Sequence, residues 1–131
     1  EALIRAQEAS RGRIKLLGIT LLTSLSENDL EALSISGDIE DIVLKRAVLC
    51  KESGLAGVVA SVREAEVIKR NLGNSFLVVT PGIRVSQGRD DQKRIGTYRD
   101  ARERGADFVV IGRPIYESED PLGVIERLEE G

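Results

Sequence analysis

Phe76-Leu77-Val78-Val79-Thr80-Pro81-Gly82-Ile83-Arg84 is a short run of apolar and β-branched side chains that ends on a proline, a glycine and an arginine. Further along, Ala106-Asp107-Phe108-Val109-Val110-Ile111-Gly112-Arg113-Pro114 has the same design. The apolar part of each has the length and composition of a buried strand. The glycine that follows lets backbone come close to a ligand, and the arginine can fork onto phosphate oxygens. Two such ends side by side make a phosphate cup. The N–H groups of Gly112 and Arg113, at the entry to a short helix around Ile115, would add directional donors and a favourable dipole.

Two more runs of the same kind lie upstream, at residues 14–22 and 56–60. All four are largely apolar rather than alternating, the pattern expected when both faces of a parallel strand are covered. Charged, helix-like stretches separate them. Ser26 with Asp29, Ser61 with Glu64 and Thr97 with Asp100 each set an N-cap hydroxyl three residues before a carboxylate. Asp120 before Pro121 starts a last helix in the same spirit. Gly54 and Gly105 each follow a charged helical segment and precede a strand, which suits a left-handed C-cap. This alternation predicts an α/β chain of four parallel βα units. Right-handed crossovers then leave an open doubly wound sheet or a (β/α)8 barrel. The sequence has neither G-x-G-x-x-G nor G-x-x-x-x-G-K-[ST], which an open nucleotide-binding sheet would carry in an early turn. Barrels often bind phosphate after their last two strands, where the two Gly-Arg ends fall.

The 131 residues are 41% hydrophobic and 31% charged, within the range of one globular domain. A net charge of −3 provides no bulk basic field for nucleic acid or an acidic membrane, so any anion site must be local. Histidine is absent, which removes the usual zinc ligand, the usual neutral-pH base and any Ser-His-Asp triad. Chemistry would have to use Lys, Arg or carboxylates. Cys50 is the single cysteine, so there is no internal disulfide and no cysteine-ligated cluster, which suits a reducing cytoplasm. No apolar run approaches the roughly 20 residues of a membrane helix. Residues 1–10 have the pattern of the end of a helix rather than of a signal peptide, the expectation for a chain cut from a larger fold.

Further candidates sit at other strand ends. In Thr20-Leu21-Leu22-Thr23-Ser24, Thr23 either reads an amide edge or helps to cap the next helix, and capping is the expected role of Ser24. The polar loop at 85–91 and Gln92 beyond it suit a lid that closes over a ligand.

Taken in order and spacing, Thr20-Leu21-Leu22-Thr23-Ser24, Gly54-Leu55-Ala56-Gly57-Val58-Val59-Ala60-Ser61, Thr80-Pro81-Gly82-Ile83-Arg84, Asp91-Gln92-Lys93-Arg94 and Ile111-Gly112-Arg113-Pro114 resemble the bacterial orotidine 5'-monophosphate decarboxylases. The resemblance spans nearly the whole chain. It implies the C-terminal half of a (β/α)8 TIM barrel: one partial domain over residues 1–131 holding strands 5–8, with no second domain. It implies Thr23 on the pyrimidine amide, Pro81 beside the base, and Arg84, Gln92, Gly112 and Arg113 in the nucleotide and phosphate grip. The family converts orotidine monophosphate to uridine monophosphate and CO2 without metal or organic cofactor, through a carbanion-like state stabilised electrostatically.

Its Asp-x-Lys-x-x-Asp segment, whose lysine protonates the carbon that loses CO2, is absent from these residues. Asp41-Ile42-Val43-Leu44-Lys45 has another spacing and falls in an amphipathic, solvated helix. No catalytic residue is therefore expected in this chain, which is predicted inactive alone. Open barrel edges predict self-association as a homodimer or pairing with the missing N-terminal half. The expected ligand is a nucleotide monophosphate, with no nucleic acid and no membrane as partner. The alternatives are a non-catalytic phosphate-binding half-barrel module and a related sugar-phosphate decarboxylase or synthase.

Overall fold

A computed structural model of the chain describes residues 1–84 and 96–130. In chain order the elements are α1 (Ala2–Ser10), β1 (Leu17–Ile19), α2 (Glu27–Ala32), α3 (Ile39–Glu52), β2 (Gly57–Val59), α4 (Val62–Leu72), β3 (Leu77–Pro81), β4 (Ile83–Arg84), β5 (Gly96–Thr97), α5 (Tyr98–Glu103), β6 (Phe108–Val110), α6 (Arg113–Tyr116) and α7 (Pro121–Glu130).

Each apolar run contains a strand, although the first is shorter than its apolar stretch. Ile14 is exposed in the turn that follows α1, where the Arg13 N–H donates to the Ser10 carbonyl. The four strands β1, β2, β3 and β6 pair in parallel, in chain order and without reversal. A doubly wound sheet reverses its order and carries helices on both faces, whereas a barrel wall does neither. Here α3 packs on β1 and β2, and α4 packs on β3 and on α3. On the helix side Val58, Val78 and Thr80 are fully buried with Ala47, Ala65 and Ile68. Gly18 keeps that side closed at β1, since a Cβ there would lie 2.3 Å from the Cys50 sulfur.

The opposite face corrects the expectation of strands covered on both sides. Ile19, Val59, Val79 and Phe108 stand in register across the sheet. Ile19 is 65% exposed and Phe108 59%. The runs have the composition of two-sided burial, but the described residues cover only one side.

The helix ends follow the local chemistry. All three capping boxes form, on Ser26/Asp29, Ser61/Glu64 and Thr97/Asp100. Gly54 and Gly105 take φ of 78° and 80°. Behind each glycine the next amide reaches back to the third residue from the helix end, Leu55 to Cys50 and Ala106 to Ala101. That is the Schellman closure, and it aims both chains into the sheet. At the amino ends of the strands Lys69 ties α4 to β3 and β6. Its Nζ donates to the Phe76 carbonyl at 2.9 Å and to Asp107 Oδ2 at 2.6 Å, and the same oxygen accepts the Val78 N–H at 2.7 Å.

One feature had no sequence signal. β4 and β5 form a small parallel ladder, Ile83 beside Gly96 and Arg84 beside Thr97. Gly96 fits because a Cβ would press on Val62 at 2.8 Å. No described helix is long and apolar enough to cross a membrane.

Candidate functional site

Parallel strands end together, so the loops after β1, β3 and β6 open at one edge of the sheet. Between them lies an open cleft of about 800 Å³. Its lining includes Thr23 from the loop after β1, Pro81 and Arg84 from the end of β3 and from β4, and Gly112 and Arg113 from the end of β6. Five of the six residues singled out in the sequence thus share one concavity. Gln92 and the expected lid at 85–91 lie outside the described residues.

The two glycines serve different needs. Gly82 has φ 75°, a left-handed turn that carries the chain from β3 into β4 and that other residues rarely adopt. Gly112 has φ −107°, and a Cβ there would meet only the Tyr116 ring, at an ordinary 3.4 Å. Protein packing does not demand glycine at 112, so the space is open to whatever enters the cleft. Gly57 is the contrast within the sheet: a Cβ would fall 2.2 Å from the Leu77 carbonyl oxygen, so there packing itself requires glycine.

Among the described residues two arginines, Arg84 and Arg113, line this cleft, against one carboxylate, Glu117. Arg84 is partly buried and engaged with neighbouring groups, while Arg113 is exposed. In a chain of net charge −3 this is a local positive feature, suited to an anion of modest size. Thr23, half-buried, adds a hydroxyl, and Pro81 an apolar surface. Arginines, a hydroxyl and an apolar surface together suit an anion that also carries polar groups.

Ser24, Tyr116, Glu117 and Ser118 also line the cleft and were missed. Ser24 is not the cap of α2: Ser26 is, its hydroxyl accepting the Asp29 N–H. The other three follow Pro114, which starts the single turn α6 and folds the chain back on the cleft; that proline was the available signal. Asp41 and Lys45 lie exposed on α3 and do not line this cleft. Among the described residues no cluster of three or more His, Cys, Asp or Glu is arranged to hold a metal ion.

Strands in chain order, helices on one face and a cleft at the carboxyl ends define part of a βα-barrel of the ligand-binding kind. The chain belongs to the orotidine 5'-phosphate decarboxylase / HUMPS family, whose model matches residues 1–128. It is 45% identical over 114 residues to the orotidine 5'-phosphate decarboxylase of Wolbachia pipientis, an alignment covering 87% of this chain and 50% of that protein. The Coxiella burnetii enzyme of the same name is 46% identical over 115 residues, covering 87% and 49%. Among solved structures, the orotidine 5'-phosphate decarboxylase of Lactobacillus acidophilus superposes with a TM-score of 0.72 at 35% identity, covering 88% of this chain and 48% of that one. The Pyrococcus horikoshii structure, at 20% identity and a TM-score of 0.66, shares the fold. The chain spans about half the length of the curated relatives it matches.

Proposed function

We propose that this chain is the phosphate- and base-binding part of an orotidine 5'-phosphate decarboxylase, supplying strands 5–8 of a (β/α)8 barrel and working in the cytoplasm. The observation that carries this reading is the convergence of Thr23, Pro81, Arg84, Gly112 and Arg113, from three separate strand ends, on one cleft. In this reading Arg113 and Arg84 grip the phosphate together with the backbone at Gly112. Thr23 meets the pyrimidine amide, Pro81 lies against the base, and Gln92 joins from the following loop. Holding the phosphate fixes the base, and that remote binding energy aligns the reacting carbon. The protonating lysine is placed outside these residues, since Asp-x-Lys-x-x-Asp is absent from them. We further propose self-association, or pairing with a complementary half barrel, supported by the apolar row on the uncovered face of the sheet.

Calorimetric titration with uridine monophosphate tests the site. Arg113→Glu removes a forked donor and adds repulsion, and should weaken binding by about tenfold or more. Arg104→Ala, at a surface arginine paired with Glu66, should leave binding unchanged. Equal effects overturn the site. Tighter binding of pentulose or hexulose phosphates than of uridine monophosphate would favour a sugar-phosphate enzyme instead. Decarboxylation of orotidine monophosphate by the 131-residue chain alone would overturn the placement of the lysine.

A further inference from the structure

Thr23 can meet a base only if the loop that carries it is held, and the loop departs from β1, at the edge of the described sheet. Thr20 is the last residue tied to the sheet. Its N–H and its hydroxyl both donate to the Val59 carbonyl, at 3.2 Å and 3.0 Å, and its side chain is buried. Its own carbonyl is taken by a residue from a different element: Arg46 Nη1, on α3, donates to it at 2.6 Å. Beyond Thr23 the turn closes again, with the Leu25 N–H donating to the Leu22 carbonyl at 3.0 Å, while Leu21 is packed in the core. Thr23 therefore hangs between two anchors, and the upstream one is fastened by a guanidinium that does not line the cleft.

We propose that Arg46 is a positioning residue for base recognition: it fixes the Thr20 carbonyl and so sets where Thr23 presents its hydroxyl. The inference rests on the nucleotide-binding reading of the cleft. A charged donor is suited to the task, because a hydrogen bond from an ionised group to a carbonyl is stronger than a neutral one and holds its geometry more firmly. The phosphate end has other supports, namely Arg84 on β4 and Gly112 and Arg113 after β6. Loss of Arg46 should thus be felt at the base end alone.

The experiment compares uridine monophosphate with ribose 5-phosphate, which shares the phosphate and lacks the base, by calorimetry. Arg46→Leu should weaken uridine monophosphate by about fivefold, the worth of one displaced hydrogen bond, and leave ribose 5-phosphate within about twofold. Arg46→Lys, which keeps a donor, should restore part of the preference. In a Thr23→Val background Arg46→Leu should have no further effect, because the group it positions is gone. If Arg46→Leu does not fold, Arg46→Gln carries the same comparison. Equal loss for both ligands, loss for neither, or a full additional loss in the Thr23→Val background overturns the proposal. Binding of neither ligand by the unsubstituted protein overturns the site reading itself, and this inference with it.

Discussion

A single Cβ separates two kinds of glycine in this chain. At Gly57 the added methyl would fall 2.2 Å from the Leu77 carbonyl oxygen, so Gly57→Ala should push β2 from β3 and cost about 1–3 kcal/mol in urea unfolding. At Gly112 it meets only a tyrosine ring at contact distance, so Gly112→Ala should lower the urea midpoint less and weaken nucleotide binding more. Gly112 was legible from its place before Arg113 at a strand end, whereas the need for glycine at 57 is set by Leu77, far along the chain, and has no local signal. Cys50 shows the same limit. Its presence alone argued for a reducing compartment, whereas its place over Gly18 exists only in the fold. Burial raises the Cys50 thiol above its ordinary value. Iodoacetamide at neutral pH should therefore label it slowly in the folded chain and readily in urea.

Helix starts and stops were legible because their chemistry is local. A hydroxyl three residues before a carboxylate satisfies amides within one turn whatever the tertiary setting, and all three such pairs form. The Asp29 carboxyl is held below the ordinary 3.8 by hydrogen bonds from Ser26, first from its side chain and then from its backbone. Asp100 is held low by the Thr97 backbone N–H, then by its hydroxyl. A carboxyl depressed in the folded state takes up its proton later than in the unfolded chain. The stability it contributes is thus complete above the unfolded value and is lost as pH falls through the folded one. Urea midpoints should hold at neutral pH and fall below about pH 4. Thr97→Ala should flatten that acid-side slope and cost about 1 kcal/mol at neutral pH. Between elements the tie from Lys69 to Asp107 had no sequence signal, since the two residues lie on α4 and just before β6. Asp107→Ala strands the Val78 N–H and should cost about 1–3 kcal/mol; Asp107→Asn, which keeps an acceptor, should cost less.

At the scale of the whole molecule the uncovered face of the sheet dominates. Ile19, Phe108 and Val110 are each more than half exposed on strands whose other face is closed by helices. If self-association covers this row, Phe108→Glu should shift sedimentation toward monomer at micromolar concentration, without the loss of midpoint that a core substitution brings. Unchanged sedimentation would place the association elsewhere. The sequence by itself determined the four strands of the main sheet, where most helices cap, and which strand ends carry a glycine and an arginine, but not the ladder of β4 and β5. Those properties depend on side chains within one or two turns of one another. That Thr23, Pro81, Arg84, Gly112 and Arg113 belong together was implied only by resemblance; it took the tertiary structure to pair the strands in chain order with helices on one side and to bring those residues into one cleft with Ser24 and Tyr116. The tertiary structure alone placed Arg46 on the Thr20 carbonyl. The physical reason is that register and crossover, which join residues tens of positions apart, are set by packing rather than by any local preference.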